Sequence, residues 1–556
     1  MDMEKLGRNA YKYAIKNAFL HSGKADIKAL VGKMLALEKG LDVKKAMPVI
    51  EEAVRRVNGM PPDEIEKEYK KFEEEGYELK PKDKVEGLQE LEWAAKEKVV
   101  TRYAPNPNGP LHLGNARAAI LSYEYAAKYG GKFILRFEDT DPKVKKPMAD
   151  AEEVFREDLD WLGCRPDETY FASDRMGIYY EHMLELIKKG GAYVCTCNAE
   201  KWRELIREKK GCKCREKKPK EVLKQFEKMM EHELKEGSAV LRIKTNLEDP
   251  DPSIRDWWIA RIVDEPRHAR VGDKYHVWPS YMFQSAVDDH LMGVTLILRG
   301  QEHAQNRTKQ EFLYKYFGWK YPHAFHFGRI SLEGMVLSTS KIKEGIEKGE
   351  YEGWDDPRLG TIRALRRRGF SSKAIREVII HLGVKPSDAT VEMNMLFDLN
   401  RKYVGEASRH VSFIEDPLRL DVQFAHETEV EREGGVVTLN EGTQQFLVPK
   451  KLLERYLEGE VIRLKDAYNV KITHKDALQV MGEFVGTTKK EDDIMPWLTE
   501  GDGRDAEVTL GDNSKVYGMM DAVEVNVGDI LNLDRLGFAR VDAIDKHFVH
   551  CYFAHR

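Results

Sequence analysis

The chain has 556 residues, which is too long for one hydrophobic core, so at about 150 residues per domain the length predicts several domains. Apolar residues make up 42% of the chain and the mean hydropathy is -0.57, and the sequence has no apolar stretch long enough to cross a bilayer. The 90 Lys and Arg residues against 95 Asp and Glu give a net charge of -5, so any nucleic-acid surface has to be local. The first residues lack the apolar core and cleavage site of an export signal, so we expect a cytoplasmic protein with no membrane partner.

Residues 1–97 predict a charged, mostly helical extension. Apolar residues such as Ile27, Leu30, Val31 and Met34 recur at the three- and four-residue spacing of a helix face. A solvated helical domain is the simplest interpretation, and a platform that docks RNA or protein is the sharper one. The segment itself does not decide between them.

A strand, a loop, a helix and a second strand follow. Residues 99–104 are strand-like, an Ala-rich amphipathic run extends from His112 to Lys128 after a Pro- and Asn-rich loop, and residues 132–137 form the second strand. This order predicts a doubly wound, Rossmann-like α/β domain with a parallel sheet. Ligands of such a domain bind at the carboxyl ends of the strands.

The rest of the chain changes character several times. An insertion interrupts the α/β pattern, a helical region follows, and beyond residue 410 short strand-like runs alternate with Gly, Asp and Asn. We therefore predict a multidomain α/β plus all-β protein with C-terminal antiparallel β-barrels. The predicted domains are 1–97, the N-terminal extension; 98–190, the first half of the catalytic domain; 191–280, the insertion; 281–345, the second half of the catalytic domain; 346–409, a helical connecting domain; and 410–556, the β-barrels.

Two loops carry residues that suit phosphate binding. Gly114 lets a ligand approach the positive end of the first helix, where free N–H groups and the His112 imidazole can face a phosphate. The second loop, Met335–Lys341, is rich in hydroxyl groups and ends in a cation. A lone His-x-Gly is usually only a helix cap, so the second loop is what favours a phosphate site.

Several long motifs resemble those of class I aminoacyl-tRNA synthetases. Pro105–Gly114 and Val336–Lys341 resemble the paired HIGH and KMSKS signatures of the class. The matches that select the glutamyl/glutaminyl branch are Arg136–Pro142, Val287–Val294, Leu298–His303 and Trp354–Arg358. The resemblance covers residues 98–556, and the β-rich C-terminus is similar to the anticodon-binding barrels of archaeal glutamyl enzymes and of glutaminyl enzymes.

The resemblance implies an ATP-dependent ligase that converts an amino acid to its adenylate and transfers it to the 3′-terminal ribose of a tRNA. The catalytic residues that it assigns are His112, Gly114, Ser338, Ser340 and Lys341, and the ATP-binding residues are Ala104, Asn106 and Asn115. Thr339 stands where the family has its second lysine, so this sequence departs from the pattern at the cation that meets pyrophosphate. The alternatives are that Lys341 takes over this role with the Ser338 and Ser340 hydroxyls or that Lys343 contributes. Mg²⁺ is expected to accompany ATP, whose phosphates supply most of its ligands.

The same resemblance locates an amino-acid pocket. It assigns Arg102, Tyr281, Ser285 and Arg299 to this pocket and Glu138 to the substrate ammonium. Two guanidinium groups that face one small pocket repel each other unless a carboxylate lies between them, so we expect glutamate as the substrate. The alternative for Arg299 is a structural salt bridge with Glu302 or Asp289.

Four of the six cysteines lie within twenty residues of one another. Cys195, Cys197, Cys212 and Cys214 supply four thiolates that can converge on one structural zinc ion. Similar zinc-bearing insertions occur in glutamyl synthetases in the region that binds the acceptor end of the tRNA. The alternative is four reduced cysteines with no metal.

The expected partners are tRNA(Glu), glutamate and ATP, and whether tRNA(Gln) is also charged is left open. The basic cluster of Arg363, Arg366, Arg367 and Arg368 is expected to contact the tRNA backbone, with ordinary helix solvation as the alternative. A glutaminyl-tRNA synthetase and a non-catalytic tRNA-binding scaffold are the competing functions, which Arg299 and the intact signature loops disfavour. Asp288 and Asp289 are interpreted as structural. Of the six histidines between residues 268 and 326, His303 alone is expected near the active site.

Overall fold

The computed structural model describes residues 3–20, 23–37, 43–74, 87–144, 146–432, 435–476, 479–488 and 494–556. The chain divides into two compact units, residues 1–85 and 86–556. Residues 87–97, which the sequence assigns to the N-terminal extension, therefore fall in the second unit. Among the helices in the described ranges, none is both long and apolar enough to span a membrane.

The first unit is helical, as predicted. Its described helices are α1 (Met3–Leu20), α2 (Ile27–Leu37), α3 (Val43–Asn58) and α4 (Pro62–Glu74). Ala10, Ala14 and Ala18 are fully buried and follow one face of α1 at four-residue spacing. Because alanine is small, the neighbouring helices can approach this face closely, and larger residues such as Leu6 and Ile50 belong to the same core.

The second unit begins with the α/β domain and its insertion. The elements are β1 (Val100–Tyr103), α5 (Leu113–Lys128), β2 (Lys132–Phe137), α6 (Ala151–Trp161), β3 (Glu168–Phe171), α7 (Met176–Lys188), β4 (Ala192–Cys195), α8 (Ala199–Arg207), α9 (Pro219–Met230), β5 (Val240–Ile243), β6 (Trp258–Ile262), β7 (Val277–Pro279), α10 (Tyr281–Leu291), β8 (Leu296–Gly300), α11 (Ala304–Phe317), β9 (His323–Phe327), β10 (Ile330–Leu332) and α12 (Thr339–Glu347). Short 3-10 turns lie at Glu92–Ala95, Ala172–Arg175, Lys213–Glu216 and Gln301–His303.

A five-stranded parallel sheet forms the centre of the α/β domain. Its strand order is β3-β2-β1-β8-β9, and every neighbouring pair is parallel. All four residues of the central strand β1 are buried, as expected for a strand that is covered on both faces. The predicted doubly wound sheet is confirmed. The insertion adds a separate antiparallel sheet in the order β4-β5-β6-β7.

A helical region leads into the β-rich C-terminal part. The elements are α13 (Ile362–Arg367), α14 (Ser372–Leu382), β11 (Ala389–Val391), α15 (Met393–Val404), β12 (Arg409–Val411), β13 (Phe413–Glu415), β14 (Pro417–Ala425), β15 (Thr428–Arg432), β16 (Gly435–Leu439), β17 (Gly442–Pro449), α16 (Lys450–Leu453), β18 (Val461–Leu464), β19 (Asn469–Lys475), β20 (Gln479–Gly486), β21 (Ile494–Met495), β22 (Leu498–Thr499), β23 (Gly503–Thr509), β24 (Lys515–Asp521), β25 (Ile530–Leu533), β26 (Gly537–Ile544) and β27 (Phe548–His555).

Two curled, barrel-like sheets make up most of this C-terminal part. One has the order β12-β25-β26-β27-β23-β24-β13 and the other β21-β18-β19-β20-β14-β17-β22. In each sheet, four of the pairings between described strands are antiparallel and two are parallel. The parallel pairs, such as β14 with β20, join strands that are distant in sequence, which local strand patterns do not reveal.

Candidate active site

The two predicted phosphate-binding loops are joined by a third segment, residues 359–362. The Ile362 N–H donates to the Leu111 carbonyl at 2.8 Å, and the Leu113 N–H donates to the Gly360 carbonyl at 3.0 Å. The Gly360 N–H in turn donates to the carbonyl of Val336 in the second loop at 3.3 Å. This segment therefore fixes both loops through backbone hydrogen bonds. No sequence motif singled it out.

Two glycines allow these loops to come close together. A Cβ atom on Gly109 would lie 2.3 Å from Thr339 Cγ2, and one on Gly360 would lie 2.3 Å from Leu337 Cδ2. A larger residue at either position would therefore displace a side chain of the second loop. Thr339, the residue that departs from the family pattern, thus packs against the first loop.

A cavity of about 570 Å³ lies at the carboxyl ends of β1 and β8, beside the start of α5. The predicted site residues in its wall are Arg102, Ala104, Asn106, His112, Gly114, Asn115, Tyr281, Arg299 and Ser338. Glu138 and Ser285 are buried outside this lining. Ser340 and Lys341 occupy exposed positions in the first turn of α12. The structure thus brings nine of the assigned site residues around one cavity and leaves these four beyond its wall, and His303, predicted near the active site, also lines it.

His112 is the N-cap of α5. The Asn115 N–H donates to Nδ1 of His112 at 3.3 Å, and the His112 N–H donates to the Asn115 side-chain oxygen at 2.8 Å. Burial lowers the pKa of His112 to about 4, so the imidazole is neutral at pH 7. Because Nδ1 accepts a hydrogen bond, Nε2 carries the proton. His112 is therefore both a helix cap and a neutral N–H donor in the cavity wall.

Asp289 lies between two buried arginines. One of its carboxylate oxygens accepts from Arg102 Nε at 3.1 Å and from Arg136 Nη1 at 2.8 Å. Burial acts to raise the pKa of Asp289, but the charges of Arg102 and Arg136 outweigh it and hold the pKa below its ordinary value. The adjacent Asp288 accepts from Arg175 Nε at 2.8 Å. Both acids hold neighbouring side chains, in agreement with the structural role predicted for them.

Glu138 has one paired and one unpaired carboxylate oxygen. Arg136 Nε donates to Oε1 at 2.9 Å, whereas Oε2 is buried and has no hydrogen-bond partner among the described residues. Burial raises the pKa of Glu138 to about 7, although the charge of Arg136 acts in the opposite direction. Its backbone carbonyl accepts from the amide of Asn106, which lines the cavity, at 3.1 Å. This unsatisfied oxygen suits a cationic hydrogen-bond donor.

Arg299 is 5% exposed, and within the described residues its guanidinium has no carboxylate at salt-bridge distance. Nη1 donates to Gln310 Oε1 at 3.2 Å, Nη2 donates to the Tyr321 hydroxyl at 3.0 Å, and Nε donates to His326 Nε2 at 3.2 Å. The salt bridge that the sequence offered as an alternative is therefore not formed in the described part of the chain. A nearly buried positive charge is left for a ligand to compensate.

Ser285 contacts Gln310, one of the three hydrogen-bond partners of Arg299 among the described residues. Gln310 Nε2 donates to the Ser285 hydroxyl at 2.8 Å, and both residues are buried. Sequence reasoning missed Gln310 and Tyr321, and it interpreted His326 as a core or surface residue. These three contacts lie 11, 22 and 27 residues from Arg299, so no helical or strand periodicity links them to it.

The four clustered cysteines converge in the insertion. Their sulfur atoms all lie within 4.8 Å of one another, and the Cys195–Cys212 and Cys197–Cys214 distances are both 3.9 Å. All four are free thiols. In a tetrahedral zinc–thiolate site with bonds of about 2.3 Å the sulfurs lie about 3.8 Å apart. The donor set therefore fits a structural zinc ion.

The basic cluster at the end of α13 is already paired within the protein. Arg363 Nη2 and Arg366 Nη1 donate to the Glu157 carboxylate at 2.6 and 2.9 Å. Arg367 Nη2 donates to Asp542 on β26 at 2.9 Å. Arg368 is 4% exposed and donates to the backbone carbonyls of residues 553 and 554 in β27. The cluster joins the α/β domain to the last β-sheet.

A parallel sheet with a helix start and a hydroxyl-rich loop at its carboxyl edge is the arrangement expected of a class I aminoacyl-tRNA synthetase. The family model for the catalytic domain of class I tRNA synthetases (E and Q) matches residues 98–405. A glutamate–tRNA ligase of Thermococcus kodakarensis is 45% identical and one of Pyrococcus horikoshii 46% identical, each over 100% of both chains. The chain therefore belongs to the glutamate–tRNA ligase family of class I synthetases.

A more distant relative and a solved structure are also similar. The glutamate–tRNA ligase of Methanothermobacter thermautotrophicus is 42% identical over 98% of this chain and 99% of that protein. A crystal structure of a glutamate–tRNA synthetase from Elizabethkingia anophelis is 23% identical, with a TM-score of 0.40, over 56% of this chain and 71% of that chain. The full-length relatives thus cover the N-terminal region that the family model leaves out.

Proposed function

We propose that the chain activates glutamate with ATP and transfers it to the 3′-terminal ribose of tRNA(Glu). The observation that carries the proposal is Arg299, a buried guanidinium in the cavity wall whose described protein contacts are all neutral. Such a cation needs a negative charge, which the side-chain carboxylate of glutamate supplies. The amide of glutamine has no charge, which disfavours the glutaminyl alternative.

The cavity suits the adenylation step. An oxygen of the glutamate α-carboxylate attacks the α-phosphorus of ATP, and the bond to the pyrophosphate oxygen breaks. The neutral Nε2–H of His112 and the N–H groups beside Gly114 are donors for phosphate oxygens. Ser338 lines the cavity, and Ser340 and Lys341 follow it at the start of α12, where they would meet the leaving pyrophosphate. Alignment and charge neutralisation account for catalysis without a protein nucleophile.

The remaining pocket residues orient glutamate. Arg102 and Tyr281 line the cavity together with Arg299. Asp289, which does not line the cavity, neutralises the charge of Arg102. The unpaired Oε2 of Glu138 is the acceptor for the substrate ammonium. Ala104, Asn106 and Asn115 form the wall that we assign to ATP.

Two metals accompany this function. Cys195, Cys197, Cys212 and Cys214 would hold a zinc ion that ties the loops of the insertion together and takes no part in the reaction. ATP would bring Mg²⁺, whose ligands would be mostly phosphate oxygens and whose charge would offset that of the phosphates.

The tRNA would extend from the insertion to the C-terminal sheets. The insertion is assigned to its acceptor end and the curled sheets to its anticodon. The exposed sides of Arg363, Arg366 and Arg367 border a cavity of about 500 Å³ that could take a backbone phosphate. Charging of tRNA(Gln) with glutamate and docking of RNA or protein by the helices of the first unit are further parts of the proposal.

Charging assays test the proposal directly. The purified chain should attach labelled glutamate, and not labelled glutamine, to tRNA(Glu) in an ATP-dependent reaction, and the same assay with tRNA(Gln) measures the breadth of tRNA choice. ATP–pyrophosphate exchange should require tRNA. A non-catalytic scaffold would show neither exchange nor charging, and charging with glutamine would contradict the pocket assignment.

Metal analysis tests the cysteine site. We expect about one zinc ion per chain and its loss in Cys212→Ser. Cys164→Ser is the matched control, because Cys164 is a buried free thiol outside the cluster. A Cys212→Ser protein that retains a full equivalent of zinc would contradict the ligand set.

A further inference from the structure

Gln310 on α11 holds a fixed orientation beside Arg299. It is 1% exposed, and its Oε1 accepts from both Arg299 Nη1 at 3.2 Å and the Tyr321 hydroxyl at 2.9 Å. Its Nε2 donates to the Ser285 hydroxyl at 2.8 Å and to the Met282 carbonyl at 3.4 Å. A rotated amide would point its NH₂ group at the Arg299 guanidinium and its oxygen at the Met282 carbonyl, and it would lose both of those bonds, so one orientation is favoured.

The other contacts of Arg299 are also neutral. The Tyr321 hydroxyl is uncharged because burial raises its pKa above the ordinary value. Burial and the charge of Arg299 lower the pKa of His326 to about 4, so its Nε2 accepts from Arg299 without adding charge. Three of the five guanidinium N–H groups are thus directed at neutral acceptors. The remaining two, one on each terminal nitrogen, have no hydrogen-bond partner among the described residues.

We propose that Gln310 is a positioning residue for amino-acid choice: it fixes the guanidinium of Arg299 in place while leaving its positive charge uncompensated for the side-chain carboxylate of the substrate. Ser285, the hydroxyl that anchors the Gln310 amide, completes the device. This inference rests on the proposed function and extends it to two residues that do not line the cavity.

The identity of the side chain at position 310 is what matters in this arrangement. A glutamate there would have the same shape, but its carboxylate would lie where Oε1 now meets Arg299 at 3.2 Å and would neutralise the guanidinium inside the protein. The substrate carboxylate would then meet a neutral pair, and an amide would be accepted in its place. An apolar residue would remove both the acceptor for Arg299 and the donor to Ser285.

The decisive variant is Gln310→Glu, tested with purified full-length chain, tRNA(Glu), ATP and either labelled glutamate or labelled glutamine. We expect the ratio of kcat/KM for glutamate to that for glutamine to fall by about 100-fold, with the KM for ATP unchanged. Gln305→Glu is the matched control, because it makes the same change at an exposed position of α11. An unchanged ratio in Gln310→Glu, or an equal loss with both amino acids in folded protein, would overturn the proposal.

Ser285→Ala tests the proposal even if the Gln310→Glu protein does not fold. Loss of its hydroxyl frees the Gln310 amide, so we expect the KM for glutamate to rise about fivefold while kcat and the KM for ATP stay at their original values. A Ser285→Ala protein with the original KM for glutamate would overturn the proposal. Failure of the unaltered chain to charge tRNA(Glu) with glutamate would instead refute the proposed function, so the two failures are distinct.

Discussion

Two arginine-rich regions of this chain use the same side chain in opposite ways. In the cavity, the three hydrogen bonds that Arg299 makes with described residues go to neutral groups, and its charge remains for a ligand. At the end of α13, Arg363 and Arg366 share the Glu157 carboxylate, and Arg367 pairs with Asp542. In the first region the positive charge has no carboxylate partner among the described residues, whereas in the second region carboxylates of the protein pair with three of the four arginines.

The difference teaches that the partners of a charge, and not the number of charges, indicate its function. Four arginines within six residues are the most conspicuous basic feature of the connecting domain, and they predicted an RNA surface. Their charges are largely matched inside the fold. Arg368 is as buried as Arg299 and also has only neutral contacts, but it donates to two backbone carbonyls away from the cavity. Arg299 lies in the cavity wall, where its uncompensated charge calls for a charged substrate.

We expect the largest loss of activity from the removal of the Arg299 charge in the first region. Arg299→Met should lower kcat/KM for glutamate by about 1,000-fold or more, because the substrate carboxylate would enter a pocket without its cation. Charging kinetics with glutamate measure this loss, and circular dichroism checks that the protein is folded. If the variant kept more than a tenth of the original kcat/KM, the Arg299 charge would not be needed to bind glutamate, and the difference between the two regions would not hold.

The matched substitution in the second region should act on stability. Arg368→Met removes the donors to one buried and one partly buried carbonyl of β27, so we expect about 2–4 kcal/mol lower stability of the C-terminal part. Denaturant unfolding followed by tryptophan fluorescence measures it. The KM for glutamate at saturating tRNA should stay unchanged in the folded fraction, and a raised KM would mean that this cluster also shapes the pocket.

The pH dependence of kcat/KM for glutamate tests the role of Glu138 beside the cavity. Because burial raises the pKa of Glu138 to about 7, its carboxyl group is mostly protonated below that pH and cannot hold the substrate ammonium. We expect kcat/KM for glutamate to rise about tenfold per pH unit below pH 7 and to level off above it. Glu138→Gln should be less active and should lack this step.

The same group has an opposite effect on stability. Its folded pKa lies above its ordinary value of 4.5, so the folded state binds the proton more tightly than the unfolded state. The stability contribution of Glu138 is therefore greatest below pH 4.5 and declines as the pH rises to about 7. The free energy of unfolding of Glu138→Gln should depend less on pH between 4.5 and about 7 than that of the unaltered protein. An equal dependence would contradict the raised pKa of Glu138.

The smallest expected effect concerns the surface of the second region. Arg366 shares Glu157 with Arg363 and is partly exposed, so Arg366→Met should change stability little. If its exposed side contacts a tRNA phosphate, the KM for tRNA should rise about threefold and the salt dependence of binding should decrease by about one counterion. An unchanged salt slope would leave Arg366 with its pairing role alone.

Local spacing predicted a large part of this molecule. The strand, loop and helix around His112 predicted the parallel sheet and the cavity at its edge, because residues near one helix start stay together in any fold that keeps the helix. The two close cysteine pairs also converge, since each pair is separated by one residue and only one loop has to close. The nine predicted residues in the cavity wall follow from motifs of this kind.

Motifs and residue patterns were therefore sufficient to predict the class of fold, the enzyme family and the residues whose chemistry the reaction needs. The pairing of buried charges could be found only in the folded chain. Asp289 meets Arg102 across 187 residues, and Gln310 and His326 meet Arg299 from separate elements. The physical reason is that periodicity and motif spacing act over a few turns of chain, whereas the cost of burying a charge is settled by whichever groups the fold brings within about 3 Å of it.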